Sequence, residues 1–318
     1  MNAPETATED IENAGRRKAM KCLAWAGTGL LWTMNSGVLH AQSLDSGSSP
    51  SMSKGADFSF VQISDTHIGF QHEANPDVLT TLQRAISRIN ALPVSQSFVL
   101  HTGDVSHLSK AEQFDTARQA FKSIKTDAMF FTPGEHDTIG DGGAEFFKHF
   151  GNDRSDKGYY SFEYRGVHFV CLINVLDFKQ GSMALLGDEQ LAWVEKDLKP
   201  LPSSTPIVVF AHIPLWTVYQ PWGWGTDDAP RLYSQLRRFG SVTVLNGHIH
   251  QIQQKVEGNM TFYSARGTAY PQPQPGAAQN PGPLTVPAGQ LGRYLGIREV
   301  HQASVRGPLA VTDTTLSV

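Results

Sequence analysis

The feature that most constrains this 318-residue chain is a repeated pattern in which apolar, strand-like runs end in side chains that bind metal ions. The clearest example is residues 242–245, which lead into Gly247, His248 and His250. Two imidazoles separated by one residue at a strand exit can point into one cavity. A single pair is weak evidence, because such histidines often only hydrogen-bond a loop. Four further strand-like runs upstream also end in potential ligands, so the pattern is informative.

The order of predicted elements favours a mixed α/β fold. Strand-like and helical segments alternate first, and antiparallel hairpins follow, which predicts mixed sheets flanked by helices in a single domain. Residues 271–288 are rich in Pro, Gly and Gln and predict a loop. The predicted strands are 58–63, 98–100, 128–131, 159–164, 167–173, 206–210, 242–245, 252–256, 260–264 and 294–300. Predicted helices begin near residues 76, 110, 188 and 229.

The N-terminal residues 1–41 have the character of an export signal. Residues 15–21 resemble a twin-arginine motif, and a modestly hydrophobic stretch, 23–39, follows them. Residues 39–41 resemble a cleavage site, so we expect a periplasmic or secreted protein that meets the twin-arginine translocation machinery. An uncleaved membrane anchor is the alternative, although polar residues interrupt the apolar stretch. Residues 42–57 predict a flexible tether, and residues 58–318 the functional domain.

Charge and cysteine content limit the possible partners. The formal net charge is -4, and the segment 1–41 carries four charges of each sign, so its removal changes nothing. A mildly acidic chain gives no support for bulk binding to nucleic acid or to anionic lipid. Cys171 is the one cysteine beyond the predicted signal, so the domain has no internal disulfide and must rely on its core.

The predicted strand exits supply oxygen and imidazole side chains. In open α/β architectures, ligands collect beyond the carboxyl ends of the strands. Carboxylates and imidazoles without thiolate favour Fe, Mn or Zn over a soft metal. The set exceeds the needs of one four-coordinate zinc ion and suffices for two ions that share a carboxylate. Its members are Asp65, His67, Asp104, Glu135, His136, His212, His248 and His250.

In their order along the chain, these motifs resemble those of the calcineurin-like metallophosphoesterases. Asp-x-His, Gly-Asp, Gly-x-His-Asp, a lone His and Gly-His-x-His follow one another between residues 58 and 266. The resemblance implies a four-layer sandwich of two mixed β-sheets flanked by helices. It also implies a hydrolase of phosphoester bonds that uses two divalent or trivalent metal ions.

The same resemblance assigns roles to individual residues. Asp104 would bridge the two ions, and a hydroxide between them would attack phosphorus. His136 would stand beside the substrate as general acid or transition-state stabiliser, oriented by neighbours that include Asp137. The ligands of one ion would be Asp65, His67 and His250, and those of the other would be Glu135, His212 and His248.

Two positions depart from the family pattern. Glu135 stands where the family usually has Asn, and its extra negative charge favours a more highly charged metal pair and weakens attraction for an anionic substrate. His107 stands where the protein phosphatase branch has Asp, whereas nuclease and diesterase branches tolerate His or Asn. We therefore expect a phosphodiesterase that acts on nucleotides or similar small diesters. A broad phosphomonoesterase, or a catalytically weak relative that binds metal or phosphoryl ligands, is the alternative.

An aromatic loop follows His212 and is a candidate substrate-binding segment together with His107. Its rings could stack on a nucleobase or another flat group. They could equally pack the loop onto the domain. The residues are Trp216, Tyr219, Trp222 and Trp224. A metallo-β-lactamase-type hydrolase is disfavoured, because the chain has no His-x-His-x-Asp-His run.

Overall fold

The computed structural model describes residues 30–35, 38–43, 57–151, 157–303 and 309–317. The chain divides into two compact units, residues 1–54 and 55–318. In the first unit, β1 (Leu30–Asn35) and β2 (Val38–Ser43) form an antiparallel pair, which the sequence patterns do not predict. Most of the predicted signal and tether lies outside the described residues. No helix in the described ranges is long and apolar enough to cross a membrane.

The second unit contains two mixed sheets. The smaller is built from β3 (Phe58–Ile63), β4 (Val99–His101), β5 (Met129–Phe131), β12 (Gly296–Gln302) and β13 (Ala310–Thr315). Its strand order is β13-β12-β3-β4-β5, in which β3, β4 and β5 are parallel and β12 is antiparallel to both of its neighbours, β3 and β13. Parallel neighbours end at one edge of a sheet, so the segments after β3, β4 and β5 meet there.

The larger sheet has six strands in the order β10-β11-β9-β8-β7-β6. Strands β7, β8, β9 and β11 are parallel, and the edge strands β6 and β10 are antiparallel to their neighbours. The exits of β8 and β9 therefore also lie together. The bounds are β6 Tyr160–Tyr164, β7 Val167–Cys171, β8 Ile207–Phe210, β9 Val242–Asn246, β10 Gln253–Glu257 and β11 Met260–Ser264.

A phenylalanine cluster packs the two sheets against each other. The rings of Phe60 and Phe98, from the smaller sheet, stack with centroids 4.9 Å apart. Phe169, from the larger sheet, meets both edge-on at 5.6 and 5.4 Å and stacks on Phe162 at 4.8 Å. Aromatic pairs in these geometries stabilise by roughly 0.5–1.5 kcal/mol each beyond the burial of their area. The contact fixes the strand exits of one sheet relative to those of the other.

Helices cover the outer face of each sheet. On the smaller sheet lie α1 (Val78–Asn90), α2 (Ala111–Phe121) and α3 (Ala144–Phe150), and on the larger lie α4 (Asp188–Leu198) and α5 (Ala229–Leu236). The start of α1 shows why these segments are helical, since Asp77 accepts a hydrogen bond from the Thr80 amide at 3.0 Å. The predicted fold class, two mixed sheets flanked by helices, is confirmed. Residues 271–288 have no regular secondary structure, as predicted.

One buried arginine ties the two sheets together near the strand exits. Arg298 of β12 is fully buried and donates two hydrogen bonds to the Asp313 carboxylate, each of 2.9 Å. It also donates to the Ser264 carbonyl, at the end of β11, and to Gln62 Oε1. Gln62 in turn donates to the Asn246 carbonyl at 3.1 Å. A charge buried in this way needs its full set of partners.

We predict that Asp313→Asn destabilises the domain by about 2–3 kcal/mol, because it leaves the buried guanidinium without its carboxylate. The expected loss of stability is smaller than the roughly 3–5 kcal/mol lost when a fully buried ion pair is broken, because Asp313 keeps 22% of its side-chain surface exposed. Urea unfolding measures the change. The control is Asp127→Asn at an exposed site without a recorded ion pair, which should change stability by less than about 0.5 kcal/mol. Equal stabilities of the two variants would contradict the role of Arg298.

Candidate metal centre

The predicted ligands lie on backbone that is locally strained. Five of them have positive φ: 54° at Asp65, 43° at His67, 55° at Asp104, 67° at His248 and 53° at His250. A residue other than glycine in this region costs roughly 1–2 kcal/mol. At each of these five residues the backbone turns sharply at a strand exit and directs the side chain across the edge of the sheet. Such strain persists only where the surrounding structure holds it, and it is typical of functional sites.

Glycines in the same motifs are required by close approach. A Cβ on Gly103, whose φ is +97°, would lie 2.4 Å from His212 Nδ1. A Cβ on Gly134 would lie 2.0 Å from Asp104 Oδ1. Gly103 therefore lets an exit of the smaller sheet approach His212 from the larger sheet, and Gly134 lets the exits of β4 and β5 approach each other.

The first predicted ligand set converges on one point. His67 Nε2 lies 3.3 Å from His250 Nε2, and His250 Nε2 lies 3.2 Å from Asp65 Oδ1. These atoms belong to a group of possible metal ligands, and all three side chains are buried. His250 Nδ1 bonds to the Tyr270 carbonyl at 2.5 Å, which leaves its Nε2 lone pair facing the other two residues.

The second predicted set converges in the same way. Glu135 Oε2 lies 2.9 Å from His212 Nε2, and Glu135 Oε1 lies 2.8 Å from His248 Nδ1. His212 Nδ1 bonds to the Thr102 carbonyl at 2.6 Å, so its Nε2 lone pair faces the glutamate. The three side chains again form a group that could hold a metal ion.

Asp104 lies between the two sets. Its Oδ2 is 3.4 Å from His67 Nε2 and 3.4 Å from His212 Nε2. Its Oδ1 accepts a hydrogen bond from the His136 amide at 2.9 Å, which fixes the orientation of the carboxylate. A single oxygen equidistant from both sets has the position of a bridging ligand.

The electrostatics of the site fit a pair of cations. Asp65 and Asp104 are buried and Glu135 is largely so, yet among the described residues imidazoles are the only side chains that form ion pairs with these carboxylates. Several buried atoms lack a hydrogen bond, and the short contact of Glu135 Oε2 with His212 Nε2 does not have hydrogen-bond geometry. Buried charges without compensation are costly, and metal ions would supply it. The atoms are Asp65 Oδ2, Glu135 Oε2, His212 Nε2, His248 Nδ1 and His248 Nε2.

The pKa shifts in the site express the same excess of negative charge. Burial by itself lowers the pKa of His212, but the charges of Asp104 and Glu135 raise it well above the ordinary value. Burial opposes ionisation of Asp65, yet the neighbouring His250 and His212 lower its pKa to about 2. Asp65 is thus held ionised, as a metal ligand must be.

His136 stands beside the two sets and is held by His107. Its Nδ1 lies 2.8 Å from the His107 carbonyl, which can only accept, so Nδ1 carries a proton. The two rings stack at 4.8 Å. Burial lowers the pKa of His136, but Asp104, Glu135 and the bond to the His107 carbonyl raise it overall.

Asp137 has a different place from the one predicted. Its carboxylate accepts hydrogen bonds from the amides of Val105, Ser106 and Gly134 and from the Ser106 hydroxyl. These bonds hold the loop after β4 against the loop after β5. The His136 ring donates its hydrogen bond to the His107 carbonyl, whereas the hydrogen bonds of the Asp137 carboxylate go to the two loops.

A cavity of about 520 Å³ opens beside these residues, and its polar wall includes His107, Glu135, His136 and His248. Trp222 and Trp224 also line it, which is where rings that stack on a flat group of the substrate would have to lie. Trp216 does not, because it packs on Phe262 in the core. Tyr219 packs against Trp222 at 5.1 Å and supports the wall from behind. The candidate substrate residues therefore reduce to His107, Trp222 and Trp224.

The sequence patterns missed two residues of this site, Tyr270 and Gln272. Both line the cavity, and the Tyr270 hydroxyl lies 3.2 Å from His67 Nε2. Gln272 donates to the His248 carbonyl at 2.9 Å. They belong to an irregular segment with no motif of its own, so only the fold brings them to the metal ligands.

Comparison with known proteins gives relatives named as phosphodiesterases. The 3′,5′-cyclic-nucleotide phosphodiesterase of Nostoc sp. is 25% identical over 219 residues, which cover 67% of this chain and 79% of the relative. A protein of Arcobacter nitrofigilis named as a probable glycerophosphodiester phosphodiesterase is 26% identical over 159 residues, which cover 49% of this chain and 57% of the relative.

Solved structures share the fold. A purple acid phosphatase from yellow lupin matches with a TM-score of 0.60 and 15% identity, over 83% of this chain and 52% of that chain. A dimetal phosphatase from Danio rerio matches with a TM-score of 0.57 and 14% identity, over 82% of this chain and 99% of that chain. The model of the family described as calcineurin-like phosphoesterase matches residues 58–252, which include every predicted ligand. The chain therefore belongs to the calcineurin-like phosphoesterase family, whose members are metal-dependent hydrolases of phosphoester bonds.

Proposed function

We propose that the protein is a phosphodiesterase with two metal ions and that it acts on nucleotides or similar small diesters. The position of Asp104 carries the proposal, because its Oδ2 is 3.4 Å from the facing nitrogen of each ligand set. Two sets that share one carboxylate oxygen are the arrangement of a two-metal hydrolase. The phosphodiesterase names of the relatives support the same reaction.

The two ligand sets would each hold one ion. Oxygen and imidazole donors suit Fe, Mn or Zn. When bound, such ions supply Lewis acidity, which polarises phosphoryl oxygens and makes water a nucleophile at neutral pH. One set is Asp65, His67 and His250, the other is Glu135, His212 and His248, and Asp104 is common to both.

His136 is the residue best placed for proton transfer. Since its Nδ1 is held by the His107 carbonyl, Nε2 is left to meet a substrate in the cavity that His136 lines. A protonated imidazole in this position can donate to the departing oxygen.

The charge of the cavity favours a diester over a monoester. No Lys or Arg is among the described residues that line it, and Glu135 adds a negative charge to its wall. A monoester carries up to two negative charges near neutral pH, whereas a diester carries one. A dianion would depend on the ions alone for compensation, so the singly charged ester is the better substrate.

Two alternatives have specific observations behind them. A broad phosphomonoesterase is compatible with the fold shared with the lupin and zebrafish phosphatases. A catalytically weak relative that binds metal or phosphoryl ligands follows if Glu135 makes the second ion a poor activator.

We also infer export, as the N-terminal twin-arginine resemblance suggests.

We predict that the purified protein binds two ions per chain and hydrolyses bis(p-nitrophenyl) phosphate faster than p-nitrophenyl phosphate. The reason is the absence of cationic side chains among the described cavity residues. Metal analysis and kcat/KM for the two esters measure this, and removal of the ions by a chelator should abolish turnover. A preference for the monoester would favour the phosphatase alternative, and one ion without turnover would favour the binding protein.

We predict that His136→Ala lowers kcat by about 10²–10⁴-fold, the usual contribution of general acid–base catalysis, and leaves both ions bound. The ring stands beside the ligand sets and is not needed to complete either one. The control is His72→Ala at an exposed position, which should be active. Loss of the ions in His136→Ala would instead make His136 a ligand.

We predict that Glu135→Asn leaves an active enzyme, with kcat/KM within about tenfold of the original and weaker retention of the second ion. The amide keeps one oxygen donor and removes one negative charge from the cavity wall. Glu135→Gln, which has the length of the original side chain, separates the effect of charge from that of reach. Complete inactivity of Glu135→Asn with both ions bound would show that the carboxylate takes part in the reaction itself.

A further inference from the structure

The segment 268–273 lies beyond the residues that match the family model, yet its residues 268–270 bond to the first ligand set or to a residue next to it. The amides of Thr268 and Ala269 donate to the carbonyls of Ser64 and Asp65, each at 3.1 Å. The Tyr270 carbonyl accepts from His250 Nδ1. The backbone of Ala269 and Tyr270 therefore helps to fix the positions of Asp65 and His250.

Tyr270 has the spacing of a ligand. Its hydroxyl oxygen is 3.2 Å from His67 Nε2. Neighbouring atoms of the predicted ligands around this point are 3.2–3.4 Å apart. The pairs are His250 Nε2 with Asp65 Oδ1, His67 Nε2 with His250 Nε2, and His67 Nε2 with Asp104 Oδ2. Atoms bound side by side to one ion at about 2.1 Å lie close to 3 Å apart, so the separation of the hydroxyl oxygen from His67 Nε2 is that of two neighbouring ligands of one ion.

The orientation of the His67 ring also directs its Nε2 towards the Tyr270 hydroxyl. His67 Nδ1 faces His107 Nδ1 at 3.4 Å, so the Nε2 of His67 is the nitrogen that faces the first ligand set. The hydroxyl of Tyr270 is directed at that Nε2. An ion bound to the Nε2 lone pair would therefore lie close to the hydroxyl oxygen.

The ring of Tyr270 is fixed in place. Only 5% of the residue is exposed. Its ring packs on those of Phe70, His250 and His67, with centroids 4.4, 4.6 and 4.9 Å away. A residue held on these sides has little freedom to turn its hydroxyl elsewhere.

We propose that the Tyr270 hydroxyl oxygen is an additional ligand to the ion held by Asp65, His67 and His250. This inference rests on the proposed function, because it requires that this set holds an ion. A phenolic oxygen suits a hard cation such as Fe(III), and tyrosine binds iron in other proteins. The ion would take the place of the phenolic proton, which leaves to solvent through the cavity, as coordinating thiols lose theirs.

Tyr270→Phe tests the inference, because it removes one oxygen and keeps the ring and the backbone carbonyl. The protein is loaded with Fe(III) and its visible absorption is recorded. We expect a phenolate-to-iron charge-transfer band in the original protein and its loss in Tyr270→Phe. Affinity for the first ion should fall by about 10–100-fold. Tyr294→Phe, at an exposed tyrosine, should keep both band and affinity.

The outcomes separate this inference from the proposed function. If the original protein binds two ions and cleaves diesters but shows no such band, or if the band survives in Tyr270→Phe, Tyr270 is not a ligand and the proposed function stands. If the original protein binds no ion, both fail. Should Tyr270→Phe not fold, resonance Raman spectra of the original iron form decide, since phenolate vibrations are enhanced only when a tyrosine binds the metal.

Discussion

The structure depends on bringing three carboxylates together away from water. Asp65, Asp104 and Glu135 follow the neighbouring strands β3, β4 and β5 of the smaller sheet. Their ionic partners among the described residues are histidines. Their mutual repulsion and loss of hydration would disfavour folding unless opposite charge is added. Binding of cations to the folded chain would therefore stabilise it. The strained φ angles at five ligands add to the cost that such binding offsets.

The rest of the fold holds that arrangement still. The phenylalanine contact between the sheets sets the separation of the strand exits, and Arg298 joins β12, β13, β3 and the end of β11 close beneath them. Asp137 binds the loops after β4 and β5 to each other through backbone amides. His212 and His250 each hydrogen-bond a backbone carbonyl through Nδ1, which leaves Nε2 facing the other predicted ligands. Order in the site is thus supplied largely by groups outside the two predicted ligand sets.

Three differences between prediction and structure have one cause. The aromatic loop divides between the cavity wall and the core, since Trp222 and Trp224 line the cavity while Trp216 packs on Phe262. Asp137 faces backbone amides and not the His136 ring. Tyr270 enters the site from a segment without a motif. In each case the residue type is informative about chemistry, but the direction of the side chain depends on neighbours that are distant in sequence.

The sequence by itself determined the fold class, the family and the set of possible ligands. Apolar runs that end in Gly-Asp or Gly-His-x-His report local requirements: a buried strand, a turn with positive φ or close approach, and a metal-binding side chain. Such requirements are written into adjacent residues, so they can be predicted without coordinates. Only the tertiary structure decided which oxygen of Asp104 lies between the two sets, which tryptophans face the cavity, and that Tyr270 meets His67 across 203 positions of the chain. Those facts follow from the packing of two sheets, and the energy of that packing is shared among residues far apart in the sequence.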